Sequence, residues 1–241
     1  MINSLKLKIN EFAKLFDNTL LAATAERVEF EHLCRESAEY GFAMVAVNSS
    51  NISLCRELLK GTGVRTGSSV SFPLGQCSLK TKLNETANAI EDGAEEIDYV
   101  INIGRLKDKD YGYMEKEMSE ILSICRPSGV LCKVIFENCY LTKDEIKTMC
   151  SIALNVGPDF VKTSTGFGKG GATEEDVKLM KSCVGQGIGV KASGGIRTLE
   201  TALAMYNAGA TRIGTSAGVS IINELKQAVL DKQIFIEEAG T

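Results

Sequence analysis

Short apolar runs and amphipathic stretches alternate along the whole chain, without a linker or a break in composition. This is the βαβα pattern that builds parallel sheets, in which each strand is returned to the same end by a helix. Candidate strands centre on residues 15–17, 43–47, 66–72, 97–101, 131–136, 159–163, 188–192 and 211–214. Between them lie helices with apolar residues at helical spacing: Leu79, Leu83, Ala87 and Ile90; Val177, Met180 and Val184; Leu199, Leu203 and Tyr206. Thr142 with Glu145 fits a capping box, and Thr173 with Asp176 marks a similar helix start. Eight strand–helix units favour a closed (β/α)8 barrel over an open sheet, and 241 residues suit one such barrel of about 250 residues. We therefore expect one α/β domain over residues 1–241.

The net charge is −4, and the lysines are scattered among acidic neighbours. This pattern argues against a nucleic-acid surface or an anionic-membrane surface and for a small-molecule partner. The N-terminus lacks a continuous apolar run, and no segment approaches the roughly 20 apolar residues of a membrane span, so a cytoplasmic protein is expected. The eight cysteines form no C-x-x-C pair and there is one histidine, His32, so zinc-ligand spacing is absent and reduced thiols are expected. Cys125, Cys132 and Cys139 recur every seven residues, but Pro127 and Gly129 interrupt any helix there.

In a barrel the reactive groups belong at the C-terminal ends of the strands. Asp17 and Thr19 follow the first candidate strand, Asn48 the second, Asp98 and Asn102 the fourth, Lys133 and Glu137 the fifth, Lys162 the sixth and Lys191 the seventh. Lys162 ends the apolar run DFVK and enters the loop TSTGFGKGGAT; Lys191 ends GIGVK. If both point inward, adjacent strands about 4.8 Å apart bring the amines together, and burial with a neighbouring positive charge favours a neutral, nucleophilic lysine. The alternative is a pair of solvated lysines at loop mouths. Asp98, inside EEIDYVINIG, is either a structural partner for these lysines or a proton relay. SGGIRT at 193–198 and RIGTSAG at 212–218 are small-residue turns before helices, suited either to an anion or merely to tight turning.

DNTLL near the start, SFPLG at 71–75, EIDYVINIGRLK at 96–107, KVIFENCYLT at 133–142, DFVKTSTGFGKGGATEEDVKLM at 159–180 and the blocks between 189 and 219 carry a resemblance to the deoxyribose-phosphate aldolases, class I aldolases of the TIM-barrel type. The resemblance implies reversible cleavage of 2-deoxy-D-ribose 5-phosphate to acetaldehyde and D-glyceraldehyde 3-phosphate, without metal or cofactor, by a homodimer. It implies Lys162 as Schiff-base nucleophile, Lys191 as the cation that lowers its pKa and Asp98 as the relay carboxylate. It also implies Lys133, Asp17 and Thr19 as substrate contacts, and Gly166, Gly194, Gly195, Arg197, Gly214 and Ser216 as the phosphate site. The bond expected to break is C3–C4 of the open-chain sugar. A related aldolase substrate and a catalytically silent metabolite-binding barrel are the competing readings.

Three positions depart from the family pattern. Asn18 replaces a common histidine, which implies that this position is not the essential base. Ala46 replaces a cysteine found in many members, which implies reduced sensitivity to aldehyde. The C-terminal tyrosine of some members is missing from Glu238-Ala239-Gly240-Thr241, which puts C-terminal help in proton transfer in question.

Overall fold

A computed structural model describes residues 4–236, so the C-terminal departure lies outside the described residues. Eight parallel strands close into a barrel in sequence order: β1 (Phe16–Leu20), β2 (Met44–Asn48), β3 (Arg65–Val70), β4 (Glu96–Val100), β5 (Leu131–Ile135), β6 (Phe160–Lys162), β7 (Gly189–Ser193) and β8 (Arg212–Thr215). Closure is made by β8 on β1, where Asp17 pairs in register with Gly214. The (β/α)8 barrel expected from the sequence is the observed fold. The expected strands are all present, with shifted ends. The largest shift is in β1, which continues through Leu20, so Asp17 and Thr19 lie within the strand rather than after it.

Helices cover the outside, so β2 and β4 are buried on both faces along almost their whole length. The capping expectations at Thr142 and Thr173 hold: each side chain accepts a hydrogen bond from the backbone N–H three residues on. A short parallel pair, Ser4–Leu5 with Phe235–Ile236, was not legible in advance, because two residues cannot display an alternation. Among the described residues no helix is long and apolar enough to cross a membrane.

One helix buries more than its apolar stripe: Leu83 and Ile90 pack against the core as expected, beside a fully buried Lys82. In Leu79–Glu91 the buried residues are Lys82, Thr86 and Ala89, whereas Ala87 is exposed. Lys82 turns inward because its ammonium donates to the Val100 carbonyl and to Glu117 Oε1, both at 2.7 Å. Glu117 Oε2 accepts from the Asn102 N–H at 3.2 Å, so this solvent-free pair pins the backbone just beyond β4, the strand that carries Asp98.

Candidate active site

Barrels of this type fill their interior with branched apolar side chains. Here the middle of the barrel holds charge instead. Asp98 and Lys133 are partners across β4 and β5, and Lys162 and Lys191 are partners across β6 and β7, so the closed sheet brings these side chains into one interior cluster. Asp98 Oδ2 accepts hydrogen bonds from Lys162 Nζ and Lys191 Nζ, both at 2.7 Å, while Oδ1 accepts from Lys133 Nζ at 2.6 Å. Below them, Lys191 lies 2.5 Å from Asp17 Oδ2 and Lys133 lies 2.5 Å from Glu96 Oε2. Arg212 closes the network, donating to Asp17 Oδ1 at 2.6 Å and to Glu96 Oε2 at 3.1 Å.

The room for this cluster comes from small neighbours. A Cβ at Gly214 would lie 3.0 Å from Lys191 Cε, so any larger residue would displace the lysine chain. Above, Thr163 and Ser164 of the TSTG loop are tied to β7. The Thr163 hydroxyl donates to the Ser193 carbonyl and accepts from the Ser193 N–H, and the Ser193 hydroxyl donates to the Ser164 carbonyl at 2.5 Å.

The electrostatics follow from burial and these contacts. For Lys162, removal from water is the largest influence and lowers the pKa; Asp98 opposes it, and the positive charges of Lys191 and Lys133 add to it, leaving the amine at about 8. Burial and the Lys191 charge both act in the expected direction, burial being the larger of the two. Burial would raise the pKa of Asp98, yet Lys133, Lys162 and Lys191 together hold it well below the usual carboxylate range. Asp17 is likewise pushed up by burial and held lower by Lys191, Arg212 and Lys133. The interior cluster contains four cationic side chains (Lys133, Lys162, Lys191, Arg212) and three carboxylates (Asp17, Glu96, Asp98). Loss of one proton balances it, and Lys162 is the group whose pKa is brought nearest to neutrality.

A cavity of about 480 Å³ opens above the cluster at the C-terminal end of the strands. Its walls include Thr19, Gly166, Gly194, Gly195, Arg197, Gly214 and Ser216, with Lys162 as the one lysine on its lining. Gly194, at φ +85°, sits in the left-handed region that favours glycine and turns the backbone toward this space. The helix Gly218–Leu230 begins two residues after Ser216 with no side-chain cap, and so offers backbone N–H groups to an anion. The helix Leu199–Asn207 is capped by Thr198; there the Ser193–Arg197 loop, rather than the helix end, forms the wall.

Lys133 and Asp17 do not line the cavity. Both are fully buried, with their charged ends engaged by the other cluster members, which does not fit the expected direct contact with substrate. Thr19 does reach the wall, and its hydroxyl donates to the Asp17 carbonyl at 3.0 Å. Asn18 is buried and donates to Ser37 Oγ at 3.1 Å. Ala46 shares the interior face of β2 with Met44, whose sulfur is 3.4 Å from Lys133 Nζ. Glu96 and Arg212 went unrecognised: one hides in an acidic run and the other opens a short strand, and only the closed barrel joins Arg212 to Asp17 across 195 residues of sequence.

A parallel barrel with a desolvated amine at the floor of its C-terminal cavity defines a class of carbonyl-processing enzyme that needs a lysine nucleophile. Comparison with known proteins narrows the class. Residues 12–224 match the model of the DeoC/LacD family aldolases. A deoxyribose-phosphate aldolase of Lactobacillus acidophilus is 53% identical over 230 residues, covering 95% of this chain and 97% of the relative. One from Bacteroides thetaiotaomicron is 49% identical, covering 92% and 93%. The solved deoxyribose phosphate aldolase of Aeropyrum pernix, described as having a unique tetrameric structure, superposes with a TM-score of 0.85 at 32% identity, covering 92% of this chain and 94% of that one. The chain belongs to the DeoC/LacD family of aldolases.

Proposed function

We propose that this aldolase reversibly cleaves 2-deoxy-D-ribose 5-phosphate to acetaldehyde and D-glyceraldehyde 3-phosphate, with Lys162 as its nucleophile. The observation that carries the assignment of the nucleophile is that Lys162, alone among the lysines, both lines the cavity and has its pKa brought down to about 8. The neutral amine adds to C1 of the open-chain sugar, and loss of water leaves an iminium beside Asp98. That carboxylate, fixed in place by Lys133 and Lys191, stabilises the new positive charge.

Carbon count corrects the expected bond. Acetaldehyde takes C1 and C2, so the bond that breaks is C2–C3; breakage at C3–C4 would leave three carbons on the lysine. The C3 hydroxyl gives up its proton to the water released on imine formation, C3 becomes the aldehyde of glyceraldehyde 3-phosphate, and the electrons of the C2–C3 bond pass to C2 and the iminium as an enamine. Protonation at C2 and addition of water then release acetaldehyde and restore Lys162. Lys191, which does not line the cavity, supplies this proton by way of the Asp98 oxygen that it shares with Lys162. Asp98, held well below the usual carboxylate range by its three lysine neighbours, rests ionised and links the two amines.

The phosphate ester sits against Gly166, Gly194, Gly195, Arg197, Gly214 and Ser216. Arg197 is exposed at the rim, and the N-terminus of Gly218–Leu230 adds its dipole. The chain acts as one catalytic domain in the cytoplasm, where phosphorylated sugars and unpaired thiols are at home. It acts as a homodimer in this reading; the tetrameric Aeropyrum pernix relative supports self-association, not the number of subunits.

The test is to incubate the protein with 2-deoxyribose 5-phosphate and borohydride and to map the adduct by peptide mass. A reduced sugar or two-carbon fragment on Lys162 is the expected result. Label confined to other lysines would remove the assignment.

A further inference from the structure

Glu137 is a buried carboxylate for which the mechanism above has no use. It lies just beyond β5 in the left-handed region (φ +56°, ψ +62°), a conformation that strains a non-glycine residue and persists where the surroundings enforce it. Its neighbours enforce it: the Phe136 N–H donates to the Lys162 carbonyl at 3.0 Å and the Asn138 N–H to the Thr163 carbonyl at 2.9 Å. Glu137 is thus held between two bonds to the chain that carries the nucleophile.

Its carboxylate reaches across to the next turn of that chain. Oε1 accepts from the Thr165 N–H at 3.2 Å, and Oε2 accepts a short hydrogen bond from the Thr165 hydroxyl. Because that hydroxyl gives its proton to Glu137, its oxygen is free to accept the Phe167 N–H, at 3.0 Å. The Phe167 ring then packs edge-on against Phe72, with centroids 5.5 Å apart. Gly168 leaves room for the arrangement, since a Cβ there would sit 3.1 Å from the Glu137 carboxyl carbon.

Thr165, Gly166 and Phe167 all line the catalytic cavity, whereas Glu137 lines an adjoining hollow of about 250 Å³ on the far side of Thr165 and Phe167. A carboxylate facing a phosphate would repel it. This one is turned away, and its charge is engaged by the loop itself. We propose that Glu137 is a positioning residue for the phosphate ester: through Thr165 it fixes the Thr165–Phe167 turn so that the Gly166 backbone meets the anion. The inference rests on the phosphorylated-sugar reading given above.

The experiment compares kcat/KM for 2-deoxyribose 5-phosphate and for 2-deoxyribose in the unsubstituted protein, Glu137→Gln, Thr165→Val and the double variant. Charge-assisted hydrogen bonds of this kind correspond to about a tenfold to hundredfold effect. Each single variant should lose that much more on the phosphate ester than on the free sugar, chiefly through KM. The double variant should lose no more than the worse single variant, because both interrupt one chain of bonds. Equal losses on both sugars, or additive losses in the double variant, would overturn the proposal. If the unsubstituted protein cleaves neither sugar, the functional reading is what fails. Calorimetric titration with inorganic phosphate then decides the inference: weaker binding by Glu137→Gln upholds it, and unchanged binding refutes it.

Discussion

Lys162→Met is expected to abolish sugar cleavage, lowering kcat by at least ~10⁴-fold, without destabilising the fold. The two halves of this expectation have different physical origins. Methionine fills nearly the same space but cannot add to a carbonyl, so covalent catalysis is lost outright. The ammonium it replaces is a stability cost, because it is removed from water within a cluster that already holds more cations than carboxylates. Removing it leaves Lys133, Lys191 and Arg212 against Asp17, Glu96 and Asp98, three of each sign. Thermal unfolding should therefore show an unchanged or higher midpoint, and borohydride trapping should leave the protein unlabelled at residue 162. Residual turnover within a hundredfold of the unsubstituted protein would place the nucleophile elsewhere. A lower unfolding midpoint would show that the charge balance is misread.

Much of this was legible in the sequence because its causes are local. Short apolar runs, set between stretches of helical spacing, mark strands whose ends moved by a few residues at most, as from Asp17 to Leu20 in β1. The opposition of Lys162 and Lys191 was legible as well, since both end apolar runs in consecutive strands and the barrel pairs them directly. Illegible features depend on distant partners. Lys82 reads as a solvated helix residue until Glu117 and the Val100 carbonyl are brought to it. Glu96 and Arg212 read as surface charge until the barrel closes around them. Lys133 and Asp17 were placed at the site by their strand positions and given to the substrate by the family resemblance, and neither says how deep the cavity reaches. In this protein the cavity stops at Lys162, with Asp98 directly beneath it.

That depth makes Asp98 the residue whose loss should be felt in the most ways. Asp98→Asn removes the negative charge shared by Lys133, Lys162 and Lys191, and breaking a buried ion pair from one side costs about 3–5 kcal/mol. Urea unfolding should report the lower end of that range, because Lys162 can shed its proton and relieve part of the repulsion. The same relief has a kinetic signature. Asp98 acts to raise the pKa of Lys162, so in its absence the amine is neutral at lower pH and the midpoint for imine trapping should move below about 8. Lys191→Leu should do the opposite: a positive charge that lowers the pKa is gone, and the midpoint should rise. Both variants should turn over slowly, by about 10²–10⁴-fold, because one lacks the counter-ion of the iminium and the other its proton donor. Rate alone therefore cannot distinguish the roles, whereas the sign of the pH shift can. Two midpoints displaced in the same direction would mean that Lys162 responds to altered packing rather than to the charges beside it.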